Sequence, residues 1–334
     1  MDQPQSETGT SPVQGNVLAN PAGAARQDEA PSFFAKIADY LPLATVVAIC
    51  LFWGFAPDDV TTSPVSLLAA AIVVMAWTQG LELVFERHES WRINRRELAT
   101  DIFYVVLTYT VIGWATVTFA EAPLLSLKQA LGIATPGLME LPFIVQAAMV
   151  LFLIEFGQYW MHRLMHNFYP LWLTHAPHHH LTQLNALKGA VGNPIELFLI
   201  SLSVVALFDF SPAAVFCAIN VLGVISGFAH ANVRADPPAL YGFFFTTIRH
   251  HSLHHTALSY EDTRCNYANS LIVLDRIFGT YREGESAIVG QDERRRLSIY
   301  EQFMFPFQPV IDAIGTRRSN AHSRGRLQSG EMQE

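Results

Sequence analysis

Eleven of the chain's thirteen histidines fall between His162 and His255, and they come in spaced groups, not as a homopolymer. The groups read "HRLMH" (His162, His166), "HAPHHH" (His175, His178, His179, His180), a single His230 in "FAHAN", and "RHHSLHH" (His250, His251, His254, His255). On a helix, residues at i and i+4, or at i, i+3 and i+4, share a face. His162 and His166 therefore project together, as do His175, His178 and His179, and again His251, His254 and His255. Neutral imidazole is a ligand for zinc, iron, copper and nickel. Eight or nine converging imidazoles exceed the four ligands of a tetrahedral zinc and suit two metals with open positions.

Each group also has a plainer reading. An isolated HxxxH is commonly a chance helix-face pair, a lone His230 beside an apolar run is commonly a hydrogen-bonded interior residue, and a His-rich string can be a loose metal-binding surface loop. All of them together, at ligand spacing and on one side of a membrane, favour a built site. Pro177 is accommodated if Thr174 caps a helix whose first turn is His175, Ala176 and Pro177, since first-turn N–H groups are unpaired anyway.

What must position these residues is a membrane protein. Of 334 residues, 51% are hydrophobic and 15% charged, against roughly 25% charged in soluble domains, and the mean hydropathy is +0.24. A formal net charge of −8 gives no reason to expect nucleic acid. Cys50, Cys217 and Cys265 form no CxxC pair, which suggests neither a disulfide framework nor a thiolate zinc site. Residues 1–32, rich in Pro, Gly, Ser and acids, read as a disordered tail. Residues 33–290 read as the membrane-embedded unit, and 291–334 as a polar, partly disordered segment.

A membrane-crossing helix takes about 20 apolar residues. Val65–Phe85, Ile102–Leu125 and Leu141–Trp160 qualify, and Leu41–Ala56 is slightly short. Ile195–Phe208 and Pro212–Ala229 read as two tilted spans or as a re-entrant hairpin, with both ends on the same side in either case. The expected fold is all-α and integral to the membrane, with about four to six transmembrane helices and a cytoplasmic helical cap holding a histidine-rich di-metal site. The loop with Arg87, Arg92, Arg95 and Arg96 marks the cytoplasmic side. Counting spans from it brings all the histidine groups to that face.

The order HxxxH, HxxHH, a single His and a final HxxHH, followed by "NYANSLIVLDRIFGTY", resembles the fatty acid hydroxylase/sterol desaturase superfamily of integral membrane di-iron enzymes. The resemblance covers about Leu141 to Tyr281. It implies metal binding by His162, His166, His175, His178, His179, His230, His251, His254 and His255. His180 and His250 are then neighbours that orient ligands, as is Asn193, which stands where many members carry a histidine. Ala268 and Leu274 depart from the family's common Gly and Trp. The resemblance implies two iron ions, O2 as co-substrate, electrons from a separate donor protein, and a lipid C–H bond as target. The leading reading is hydroxylation of an acyl chain or a membrane lipid such as an ornithine lipid. A sterol or hopanoid desaturase or methyl oxidase is the second reading, and a membrane zinc-binding or transport protein the third. Transporters hold ionisable ligands near mid-membrane, whereas these histidines fall beyond the spans. If the chain is bacterial, the membrane is the inner one.

Glu155, two helical turns before His162, could orient a ligand imidazole or pair with another helix. Asp275 and Arg276 read as a structural ion pair or a helix terminus. Glu196 is open between structure and site. Tyr241 and Phe243 to Phe245 read as membrane packing or interfacial anchors, or as the lining of an acyl entrance.

Overall fold

The computed structural model describes residues 33–258, 263–291 and 294–314. Among them there is no strand, only isolated bridges between Glu86 and Val233 and between Thr256 and Val289. The tail at 1–32 and residues 315–334 lie outside the described residues.

Four helices are long and apolar enough to cross a membrane: α2 (Pro64–Val84), α3 (Arg95–Ala130), α4 (Phe143–Asn167) and α7 (Pro212–His230). The shorter α1 (Leu41–Phe55) precedes them, and α5 (Tyr169–His179) and α6 (Pro194–Ser201) lie between α4 and α7. Their starts follow local chemistry. Asn94 accepts the Arg96 and Glu97 amides at the head of α3, and Ser211 caps α7 with Pro212 next. α1 packs along α7, where the Trp53 indole donates to Asn220 at 2.9 Å inside the bundle. Trp53, Val150, Leu151, Ala214, Cys217, Val221 and Ile225 form the core where α1, α4 and α7 meet.

α4 has 25 residues, about 38 Å at 1.5 Å per residue, against a hydrocarbon core of about 30 Å. Its last turns, with His162 and His166, can therefore stand clear of the hydrocarbon. The arginine loop lies at this same end, since Arg87 N donates to the Asn232 carbonyl just past His230. The stretch from Pro194 does not turn back at half depth. α6 ends at Ser201, and an irregular run carries the chain to Asp209, which pairs with Lys128 and Thr135 near the opposite end of α3. α7 then returns to His230, so both ends of the pair lie at the histidine end, as its sequence requires.

One expectation changes. α5 begins at Tyr169, not at Thr174, and Phe168 (φ −126°, ψ 111°) is its cap, with Pro170 in the first turn. The break after α4 and Pro170 set the start, so Pro177 sits inside the final turn. Only one backbone bond is lost there before the helix ends, and the i, i+3, i+4 face of His175, His178 and His179 is kept. Residues 294–307, within the segment read as partly disordered, pack on the body. α11 (Ile299–Met304) opens with a Ser298/Glu301 capping box and packs Ile299 and Phe303 beside Tyr104 and Leu197. Between α7 and α11 lie α8 (Ala239–Phe244), α9 (Ile248–His254) and α10 (Val273–Ile277).

Candidate metal centre

Nine imidazoles converge in two groups at the end of the bundle. His162, His166, His175, His179 and His254 form one, and His178, His230, His251 and His255 the other. Within each, one ring nitrogen per residue lies within 4.8 Å of all the others, and every residue is buried. α4 and α5 supply four members of the first group, while α7 and α9 supply His230 and His251 of the second. α5 and α9, with the His255 that closes it, each serve both groups because i+3 and i+4 neighbours diverge slightly around a helix. The groups touch where the His179 and His255 rings stack, with centroids 4.4 Å apart and planes 20° off parallel. Trp172 packs against His166 and His179 from outside.

The backs of the rings are anchored. His162 Nδ1–H donates to the Tyr267 carbonyl (2.6 Å), His254 to that of Cys265 (2.7 Å), His178 to that of Val191 (2.7 Å) and His230 to that of Ser226 (2.8 Å). His175 Nδ1–H donates to Glu196 Oε1 at 2.6 Å. A proton fixed on Nδ1 leaves Nε2 as a bare lone pair, the form a metal takes.

Those lone pairs confront one another. His162 Nε2 stands 2.9 Å from His175 Nε2 and 3.1 Å from His254 Nε2, and all three have their proton on the far nitrogen. Nothing on these rings can bridge those contacts unless one becomes an imidazolium. Burial opposes that, holding His175 down at about 3 and His254 well below the ordinary histidine value. A shared cation resolves the conflict. Imidazole nitrogens bound at about 2.1 Å and at right angles stand about 3.0 Å apart, which matches the observed spacing. The second group repeats the spacing, with His230 and His251 Nε2 at 2.8 Å and His251 and His255 Nε2 at 3.1 Å, and of these three rings a carbonyl holds the Nδ1 of His230 alone. Among the described residues neither group includes a carboxylate. The residues present fit two imidazole-bound metal ions.

The expected orienting residues are placed as follows. Glu155 touches no imidazole. It accepts Ser270 N and Oγ (3.1 and 2.5 Å) and so pins the loop that presents the Tyr267 carbonyl to His162. Asn193 caps α6, and its amide donates to the Gln302 and Phe303 carbonyls of α11. His180 donates to the Ala176 carbonyl and lies against Phe305. His250 closes a capping box with Thr247 at the head of α9.

Of the two readings for Asp275 and Arg276 the helix terminus holds, with Asp275 in the first turn of α10 and Arg276 in its last, and the two do not pair with each other. Asp275 accepts Tyr267 N and Ala268 N (2.8 and 2.9 Å), while Arg276 lies over the Tyr281 ring at 3.6 Å. Successive side chains of a short helix diverge, and the amides of the loop are nearer. Ala268 in place of Gly brings no strain, because the left-handed residue of this loop is Asn266 (φ 51°).

Glu196 and Lys188 both brace the histidine groups. Glu196 joins the metal centre to the cap of α6, since its Oε2 accepts Asn193 N. Lys188, fully buried, pairs with Glu97 (2.5 Å) and Asp101 (2.7 Å) and fixes the loop bearing Val191 to α3. A lysine flanked by "LNAL" and "GAV" carried no metal-site pattern, though a charge in so apolar a stretch signals a paired one.

Residues 147–280 match a family model described as fatty acid hydroxylase. The chain is similar to the ornithine lipid hydroxylase OlsE of Rhizobium tropici, 29% identical over 226 residues, 63% of this chain and 66% of that protein. It is similar to the alkylglycerol monooxygenase of Homo sapiens, 28% identical over 139 residues, 41% of this chain and 31% of that protein. A Delta(7)-sterol-C5(6)-desaturase of Nicotiana tabacum is 29% identical over 149 residues, 43% of this chain and 52% of that protein. The chain thus spans just under two thirds of the first relative, about a third of the second and about half of the third. No solved structure matches. The stretch bearing all nine histidines belongs to the fatty acid hydroxylase/sterol desaturase superfamily.

Proposed function

We propose that this chain is a multi-pass membrane di-iron monooxygenase that hydroxylates a C–H bond of a lipid, an acyl chain or a membrane lipid of the ornithine-lipid kind. O2 is the co-substrate and a separate protein supplies electrons. The carrying observation is the convergence of nine buried histidines in two adjacent groups, five of them with Nδ1 anchored so that Nε2 is left as a bare lone pair. His162, His166, His175, His179 and His254 would hold one ion, and His178, His230, His251 and His255 the other. Bound iron supplies O2 activation and the oxidising power that C–H cleavage needs. The chain's own part is to keep the imidazoles neutral, fix their tautomers through the carbonyls of Val191, Ser226, Cys265 and Tyr267, and exclude water.

Placement supports a lipid target. The groups sit where α4 and α7 end, so a lipid's polar end reaches them without leaving the bilayer. The arginine loop at this end supports a cytoplasmic active face, in the inner membrane for a bacterial cell. Similarity to a sterol desaturase supports a second reading, removal of two hydrogens from a sterol or hopanoid.

Mass spectrometry of lipids from cells with and without the chain tests the reaction. Gain of one oxygen by an acyl or ornithine lipid is expected, and loss of two hydrogens from a sterol-like lipid would favour the second reading. Metal analysis of purified protein should find two irons per chain, and one metal or none overturns the di-iron centre.

A further inference from the structure

One carboxylate oxygen in α2 ties together the two segments on which His178 and His230 rest. Glu82 lies in the last turn of α2 and is buried. Its Oε1 accepts Ala186 N at 2.6 Å and Asn232 N at 3.0 Å, and Gln79 donates to its Oε2. These partners are all N–H groups of neutral amides, whereas the buried carboxylates Glu97 and Asp101 meet the Lys188 ammonium. An ionisable side chain within an apolar span is a functional candidate by default.

Both segments lead to the second histidine group. Asn232 follows His230 by two residues, just after α7 has ended. The Asn232 carbonyl accepts Arg87 N, and its side chain exchanges hydrogen bonds with the His88 backbone, which leaves the Asn232 N–H to Glu82. Ala186 begins the loop whose middle Lys188 pins to α3. In that loop Gly189 lies against the His230 ring, where an added Cβ would stand 3.4 Å from Cε1 and Nδ1. Val191, further along, gives its carbonyl to His178. The anchors of the first group, Tyr267, Cys265 and Glu196, are on other segments.

We propose that Glu82 is a positioning residue for the second metal ion. By holding Ala186 and Asn232 on one oxygen, it sets the place of His230 and of the Val191 carbonyl that fixes His178. This rests on the two-ion reading above. The role is geometric, so Glu82→Gln can fill it. That variant keeps an acceptor oxygen for both amides. A turn of the Gln79 amide brings its Oε1, buried without a partner among the described residues, to meet the new N–H group.

The test follows release of iron to a chelator from full-length, detergent-solubilised protein loaded with Fe(II), with thermal unfolding alongside. Glu82→Leu should release one ion about tenfold faster or more, the scale of a disturbed ligand support, and the other at the unaltered rate. In His178→Ala, which by that reading holds the first group's ion alone, adding Glu82→Leu should change nothing. Glu82→Gln should keep both ions. Equal weakening of both ions in Glu82→Leu would overturn the proposal as a general packing role, and unchanged release would overturn it outright. Loss from Glu82→Gln as large as from Glu82→Leu would overturn it in favour of charge. Should Glu82→Leu fail to fold, Glu82→Asp decides. One methylene shorter, it keeps the charge but does not reach both amides, so the second ion should still leave faster, and unchanged release overturns the proposal. Fewer than two ions in the unaltered protein defeats the two-ion reading itself, a result seen before any substitution.

Discussion

Glu196 accepts the Nδ1 proton of His175 at 2.6 Å with one oxygen and the amide of Asn193 with the other. One carboxylate therefore sets an imidazole's tautomer and the first turn of α6. Removing it frees the ring to turn or to move its proton to Nε2. Glu196→Ala should weaken metal binding in the first group by about 10- to 100-fold, the usual range for a lost partner of a ligand histidine. Competition with a chelator measures it. Gly192→Ala should act in the same direction and less, because its Cβ would stand 2.3 Å from Glu196 Oε2 and displace a flexible carboxylate.

Asp275 holds the other side of that group. It takes the Tyr267 and Ala268 amides and the Thr280 hydroxyl, and Tyr267 in turn presents its carbonyl to His162. Asp275→Ala leaves two buried N–H groups unmet, a cost of about 1–3 kcal/mol for each. The melting temperature should fall and the first-group metal should exchange faster. Thermal unfolding and chelator kinetics on the same preparation check both. Equal exchange rates would show that the loop holds its shape without the carboxylate.

The convergence of the histidines was legible because histidine is rare and its spacing follows the helix repeat, so three separate segments announced themselves. The long spans were legible from composition. The anchors were not. Four are backbone carbonyls, at Val191, Ser226, Cys265 and Tyr267, and a carbonyl leaves no mark in a sequence. Only His230 finds its carbonyl within its own helix. Glu155 shows the same limit, since its spacing predicted the right face of α4, but Ser270 comes from 115 residues away. Pro177 misled because a proline late in a helix and one early in a helix look alike until Pro170 and the break at Phe168 are seen upstream.

Acid should weaken the arginine loop. Glu285 meets Arg87 at 2.6 Å and His88 at 2.9 Å, and although burial raises its carboxyl, these partners together hold it well below the usual range. A depressed carboxyl contributes stability that is present above its unfolded value, about 4.3, and lost as pH falls from there towards the folded value. Glu285→Gln removes that contribution. The melting temperatures of the two proteins should differ most near pH 6 and draw together below about pH 4. A constant gap across that range would show that the carboxylate's charge plays no part.

The division into two groups predicts how single substitutions fail. His254 belongs to the group of five and His178 to the group of four, yet His179 and His255 stack across the boundary. If each group holds its own ion, His254→Ala and His178→Ala should each lower metal content from two per chain towards one. Lipid turnover should be abolished in both, because a two-metal reaction fails when either ion is lost. The proteins should remain folded, since the five backbone or carboxylate anchors belong to separate rings and each substitution removes one. Metal analysis beside thermal unfolding decides the matter. Loss of both ions from either variant would show that the stacked pair couples the groups into a single site, and retention of both would remove the substituted histidine from the ligand set.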